Sequence, residues 1–182
     1  MSKMESMGTS SKEEWLSDVK FTLESEGFEP FAGNIKSLFK GFKAWLTDAN
    51  VDILLMCYQC IIGSLPELLK YEEIEQEFIK LVPTFIDNLG SQKTVIRKST
   101  HRWIASYVKL SLKLELVLNY IVNFGLNHNK LRTRQHCMLV IPALLSLKKT
   151  AMRSKSKDIV KLVDMVANKL FDPSEIVQKT AK

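Results

Sequence analysis

Residues 89–99 read Leu89-Gly90-Ser91-Gln92-Lys93-Thr94-Val95-Ile96-Arg97-Lys98-Ser99. Gly90 closes one apolar-periodic segment, three polar residues follow, and Thr94 opens the next. Three other breaks have the same make-up: Asp48-Ala49-Asn50-Val51, His128-Asn129-Lys130-Leu131-Arg132 and Asp172-Pro173-Ser174-Glu175-Ile176-Val177. Aligning Val51, Val95, Arg132 and Val177 gives steps of 44, 37 and 45 residues. Two positions on, the last three breaks carry Arg97, Arg134 and Lys179. Four positions on, Ser99 and Ala181 are small, as close helix packing requires. A polar turn that opens a helix every ~40–47 residues marks helix-pair arrays of the HEAT type. In such arrays no single pair can bury its apolar faces, and stacked neighbours supply the core. An irregular helical bundle makes no such demand on its turns. The predicted fold class is therefore all-α, an α-solenoid of HEAT-like helical hairpins with about four repeats and the start of a fifth.

The segments between the breaks agree. Leu38, Phe39, Phe42, Trp45 and Leu46 recur at helical spacing, as do Ile74, Phe78, Leu81, Val82, Phe85, Ile86 and Leu89. Val51 to Ile62 is apolar nearly all round, which predicts a buried inner helix. Further helices are predicted over 94–110, 112–124, 130–147 and 158–170, with another opening at Pro173. Period-2 alternation is absent, and 7 Gly and 5 Pro leave little punctuation for a many-turned β protein. Residues 1–10 read as a flexible leader and 11–182 as a single domain, with Ser10 or Ser11 capping a helix that starts near Lys12. The run Lys148 to Lys157 reads as a mobile basic linker, in which Ser154 and Ser156 are candidate phosphorylation sites.

Several functional classes are disfavoured. No 18-residue apolar run and no secretory leader are visible, so neither a membrane span nor export is expected. Cys57 and Cys60 have redox or zinc-ligand spacing but fall inside an apolar segment without a second pair, and Cys137 beside His136 lies far along the chain. Buried thiols are the expectation, with no metal or other cofactor. His101, His128 and His136 are scattered, and no nucleophile elbow or Gly-rich phosphate loop is present. An enzyme is not expected.

Charge is more informative. The net charge is +6, yet residues 1–90 carry −7 and residues 91–182 carry +13. Such asymmetry points to an acidic partner. Lys93, Arg97, Lys130, Arg132 and Arg134 sit at equivalent turns, so an array of hairpins would line them along one edge. The plain alternative is a solvated face, the ordinary fate of Lys and Arg. Aromatics do not interleave with these charges, which argues against nucleic acid. Trp15 opens a helix among Glu13, Glu14 and Asp18. It either caps the first core or stands out as an aromatic anchor.

These turns resemble those of TOG domains, the tubulin-binding HEAT arrays of microtubule polymerases, CLASP proteins and ciliary relatives such as Crescerin. "LTDANV" at 46–51 is similar to their second-repeat turn, "LGSQKTVIRKS" at 89–99 to the third, and "GLNHNKLRTRQ" at 125–135 to the fourth. Trp15 lies where such domains often carry a first-turn Trp, though the usual basic residue soon after it is missing. The resemblance covers about residues 12–182. It implies a domain truncated at its C-terminal end, since family members usually have six repeats. It also implies a non-enzymatic, monomeric module of the cytoplasm and cytoskeleton, in a cilium or at a centrosome. The partner would be αβ-tubulin or microtubules, not nucleic acid or membrane. Trp15 would anchor one end, Asn50 and Val51 would contact next, and Lys93, Thr94, Arg97, Lys130, Arg132 and Arg134 would supply the remaining contacts. The alternative reading is a HEAT scaffold for another partner, ciliary or kinase-associated, with nucleic-acid binding a distant third.

Overall fold

The computed structural model describes residues 7–111, 114–147 and 157–181. The described residues are helical, with no strand among them. The helices are α1 (Thr9–Ser25), α2 (Ile35–Trp45), α3 (Val51–Leu68), α4 (Glu72–Leu89), α5 (Thr94–Ser111), α6 (Leu114–Tyr120), α7 (Leu131–Leu147), α8 (Lys157–Asn168) and α9 (Glu175–Ala181). The polar breaks at 48, 91, 128 and 172 join α2 to α3, α4 to α5, α6 to α7 and α8 to α9, so four hairpins result. The chain divides into two compact units, Met1–Thr84 and Phe85–Lys182, and α4 runs through the division one residue after Pro83.

In the first unit α3 packs against both α1 and α2. Ile53, Cys57, Ile61, Leu65 and Leu68 on α3 are fully buried. Val51–Leu68 is long and apolar enough to cross a membrane by composition, yet half of it lies inside the protein, which is the pattern of a core helix. Phe39 meets Phe42 and Phe78 edge-on at ring separations of 5.7 and 4.9 Å. Helix α1 starts at Thr9 behind Gly8, earlier than a Ser cap predicts, and ends where Gly27 adopts φ 76°. That left-handed angle is open to glycine and strained for most other residues. The expected leader falls on residues 1–10, of which 1–6 lie outside the described residues.

In the second unit α7 packs between α5 and α9, while α6 touches α8. Trp103 stacks on Phe85 at 3.6 Å and on Tyr107 at 5.2 Å, all three fully buried. The segment predicted as one helix over 112–124 changes pitch at Ile121–Gly125, where the Leu126 N–H bonds the Ile121 carbonyl five residues back. Gly125 there lies so close to α7 that a Cβ would overlap the Cys137 sulfur. The basic run at 148–156 and its two serines lie outside the described residues.

All three cysteines are buried and unpaired, as the apolar setting of Cys57 and Cys60 predicts. Burial pushes the Cys60 and Cys137 thiols up to about 12 and raises Cys57 as well, so all are protonated at neutral pH. No group of three or more His, Cys, Asp or Glu that could hold a metal occurs among the described residues.

Candidate functional site

Each of the four breaks is closed by one local rule. The side chain of the first break residue accepts a hydrogen bond from the backbone N–H two positions on: Asp48 from Asn50 at 2.8 Å, Ser91 from Lys93 at 3.2 Å, His128 from Lys130 at 3.1 Å, Asp172 from Ser174 at 3.0 Å. The next helix begins one residue later, at Val51, Thr94, Leu131 and Glu175. Two residues further on, Ile53, Ile96, Thr133 and Val177 are all buried. Short polar side chains that bond their own backbone two residues on favour this geometry. The alignment of Val51, Val95, Arg132 and Val177 is therefore corrected. In the hydrogen-bonded register Val51 matches Thr94, Leu131 and Glu175, and the steps between breaks become 43, 37 and 44 residues. Spacing alone misses this because β-branched residues occupy neighbouring positions in these turns.

The first unit gathers Trp15, Asn50 and Val51 around the turn at Asp48. Trp15 is half-buried, edge-on to Phe42 and Trp45 at 6.0 Å each, so its ring completes the rim of a core instead of standing clear. Asn50 caps α3 by accepting from the Asp52 N–H at 2.9 Å. Lys12, which sequence reasoning passed over, bonds Asp48 at 2.7 Å with both side chains largely buried, and lies over the Trp45 ring at 5.2 Å. These residues, with Ala44, Thr47 and Ala49, line a recess of about 310 Å³.

The second unit gathers the remaining site residues at its turns, and they fall into two kinds. Arg97 and Arg134 fold back onto their own turns. Arg97 donates to the carbonyls of Ser91 and Gln92 at 2.7 and 2.9 Å and to the Thr94 hydroxyl at 3.0 Å. Arg134 donates to the carbonyls of His128 and Asn129 at 2.9 and 3.1 Å. It also grips Asp172, in the next hairpin, with two bonds of 2.8 Å. That grip, with the Ser174 N–H, holds the Asp172 carboxyl below its ordinary value. Lys93, Lys130 and Arg132 instead are exposed. Lys130 reaches Asp87 at 3.4 Å across an open surface, whereas Lys93 and Arg132 have no side-chain hydrogen bond or ion pair among the described residues, although the Arg132 charge is felt at His136. Beside them Val95, Leu131 and Ile176 are exposed apolar residues of the same turns. The turns thus present basic and apolar groups while two arginines act as internal clamps.

The histidines are less scattered than the sequence suggests. His101 Nε2 and His136 Nδ1 stand 3.2 Å apart between α5 and α7. Burial lowers the His136 pKa to about 4, helped by His101, Arg97 and Arg132; burial and Arg97 lower His101 as well. The third histidine, His128, meets Asp87 at 3.1 Å.

No family model and no curated protein matches the sequence. Solved structures do match in shape. The N-terminal domain of MAST/Orbit is similar at a TM-score of 0.80 and 16% identity, with 98% of this chain and 77% of that one covered. A structure on TOG–tubulin binding specificity in microtubule dynamics and mitotic spindle formation is similar at 0.78 and 16%, covering 98% and 70%. Likeness at this identity shows the fold: an all-α array of HEAT-type hairpins, as the recurring turns predict.

Proposed function

We propose that this chain is a non-enzymatic module that binds αβ-tubulin or microtubules through its hairpin turns, and that it works on the cytoskeleton. The observation that carries the reading is the shared hydrogen-bonded register of the turns. It gives Lys93 and Lys130 corresponding exposed places, with the exposed, unpaired Arg132 two positions after Lys130, beside Val95, Leu131 and Ile176. Exposed cations near apolar side chains suit an acidic protein surface, where charge speeds encounter and apolar contact slows release. The fold shared with a structure on TOG–tubulin binding supports tubulin as that surface. Within this reading Asn50, Val51, Lys93, Thr94, Lys130 and Arg132 touch the partner. Arg97 and Arg134 shape the turns from within, and Trp15 stiffens the first of them.

Size-exclusion co-migration with αβ-tubulin at low and raised salt tests the proposal. Lys93→Glu with Arg132→Glu removes co-migration and leaves helix content unchanged, since both side chains lack internal partners. Lys155→Glu with Lys157→Glu, outside the turns, weakens it far less. Equal weakening by both pairs would reduce the interaction to diffuse charge attraction and favour a scaffold for another partner.

A further inference from the structure

We propose that Arg97, His101, Arg132 and His136, shared between α5 and α7, form a seat for a tetrahedral dianion: phosphate, free or as the phosphoryl group of a modified protein. Each helix contributes an arginine and, four residues later, a histidine, a spacing that puts both on one face. His101 Nε2 and His136 Nδ1, 3.2 Å apart, join the two pairs into one cluster. Arg97 and both histidines are part-exposed and Arg132 is exposed, so a solute reaches them from water.

The sign of the charge selects the ligand. The charges felt at His136 are those of His101, Arg97 and Arg132, and the one felt at His101 is that of Arg97; no carboxylate is among them. Two acids of the neighbouring turns are taken up elsewhere, Asp87 by His128 and Lys130, Asp172 by Arg134 and Lys169. Two fixed arginine charges therefore stand without a counter-charge of their own. A dianion matches them, whereas a single carboxylate covers half. Donors are also available. Arg132 has no hydrogen bond or ion pair among the described residues and is free to grip oxygen atoms in the forked, charge-assisted way. The Arg97 Nε is buried without an acceptor among the described residues, although its other nitrogens hold the turn.

The histidines link this binding to protons. Facing each other as neutral rings, one donates and the other accepts. A dianion beside them offsets the arginine charge and favours the imidazolium form, whose N–H groups then point donors at its oxygens. Binding thus takes up protons and tightens as pH falls from ~7.5 to ~5.5. The seat shares Arg132 with the surface assigned to tubulin but needs no tubulin contact, so either proposal can fail alone.

Side-chain NMR of the full chain tests the seat, since three histidines give three signals and His136→Asn identifies one of them. Sulfate is the probe because it keeps both charges throughout, while a phosphoryl group titrates near pH ~6. Ionic strength is held constant with chloride, so general screening does not change. Sulfate is expected to raise the His136 pKa from about 4 by roughly one unit or more, and to leave His128, paired with Asp87, little changed. Arg132→Gln, at an exposed side chain without internal partners, weakens sulfate binding about tenfold. Lys109→Gln, at an exposed lysine late in α5, leaves it unchanged. Inorganic phosphate and a phosphoserine peptide, compared at pH ~7.5, separate the two sources: tighter binding of the peptide assigns the seat to a modified protein, and equal or weaker binding to free phosphate. A His136 titration that is the same in sulfate and chloride, or equal sulfate affinity of the parent chain and Arg132→Gln, would overturn the proposal.

Discussion

The turn at Asp48 and the turn at His128 obey the same backbone rule, and each meets a charged side chain from an upstream helix, but only the second is also clamped by an arginine of the helix it opens. At Asp48 the brace comes from upstream: Lys12, on α1, pairs with the turn's own carboxylate. The position six residues after the break holds Leu54, a core residue. At His128 that same position is Arg134, which reaches back to two turn carbonyls and forward to Asp172. In the basic half of the chain, part of the charge excess is therefore internal scaffolding. Counting cations in a turn overstates what a partner can reach.

The contrast can be broken most severely at Arg134. Arg134→Ala leaves a nearly buried carboxylate with Lys169 at 3.8 Å as its nearest remaining cation, and leaves two carbonyls without their donor. A loss of about 2–3 kcal/mol is expected in denaturant unfolding. Arg97→Ala, with no acid partner to strand, costs about 1–2 kcal/mol.

A similar-sized effect is expected where α6 approaches α7. Gly125→Ala costs about 1–3 kcal/mol by overpacking against the Cys137 sulfur. Adding Cys137→Ala recovers part of it, because the sulfur is the atom in the way. A double-mutant cycle on thermal unfolding reads the coupling.

The upstream brace in the first unit is smaller. Asp48→Ala removes both the turn bond and the Lys12 pair and costs about 1–2 kcal/mol. Asp48→Asn keeps the acceptor for the Asn50 N–H and loses only the ion pair, so it costs less than half as much. Equal losses would show that the Lys12 pair carries the turn.

The smallest effect is pH-dependent and confined to the second unit. His101 and His136 are held neutral when folded, so unfolded chains bind protons first as pH falls. Stability is full above about 6.5 and declines toward about 4, by on the order of 1 kcal/mol after solvent screening. His136→Asn flattens that slope. Asp172 acts in a lower window, because its depressed carboxyl contributes above its ordinary pKa and stops contributing as pH falls through the folded value.

How much of this is legible in the sequence follows from what each feature depends on. Helix periodicity is local, so α4 over 72–89 and the inner helix from Val51 are readable from apolar spacing alone. The turns are visible as polar breaks, but their register hangs on which side chain accepts from which N–H, and Val95 and Val177 mislead by type. The two arginines show charge in the sequence but not whom they pair with. Lys12 with Asp48 and His101 with His136 lie 36 and 35 residues apart, and only folding brings them together.

The shared turn bond also bears on how such a chain tolerates change in length. Because the residue opening each break fixes the start of the following helix, every hairpin carries its own zero mark. A residue gained or lost between hairpins shifts nothing downstream, since the phase is reset at the next Asp, Ser or His. Successive breaks lie 43, 37 and 44 residues apart, yet each opens its helix at the same offset. Drift in spacing is absorbed between the marks, and copies of one hairpin can diverge widely in sequence while still stacking in step.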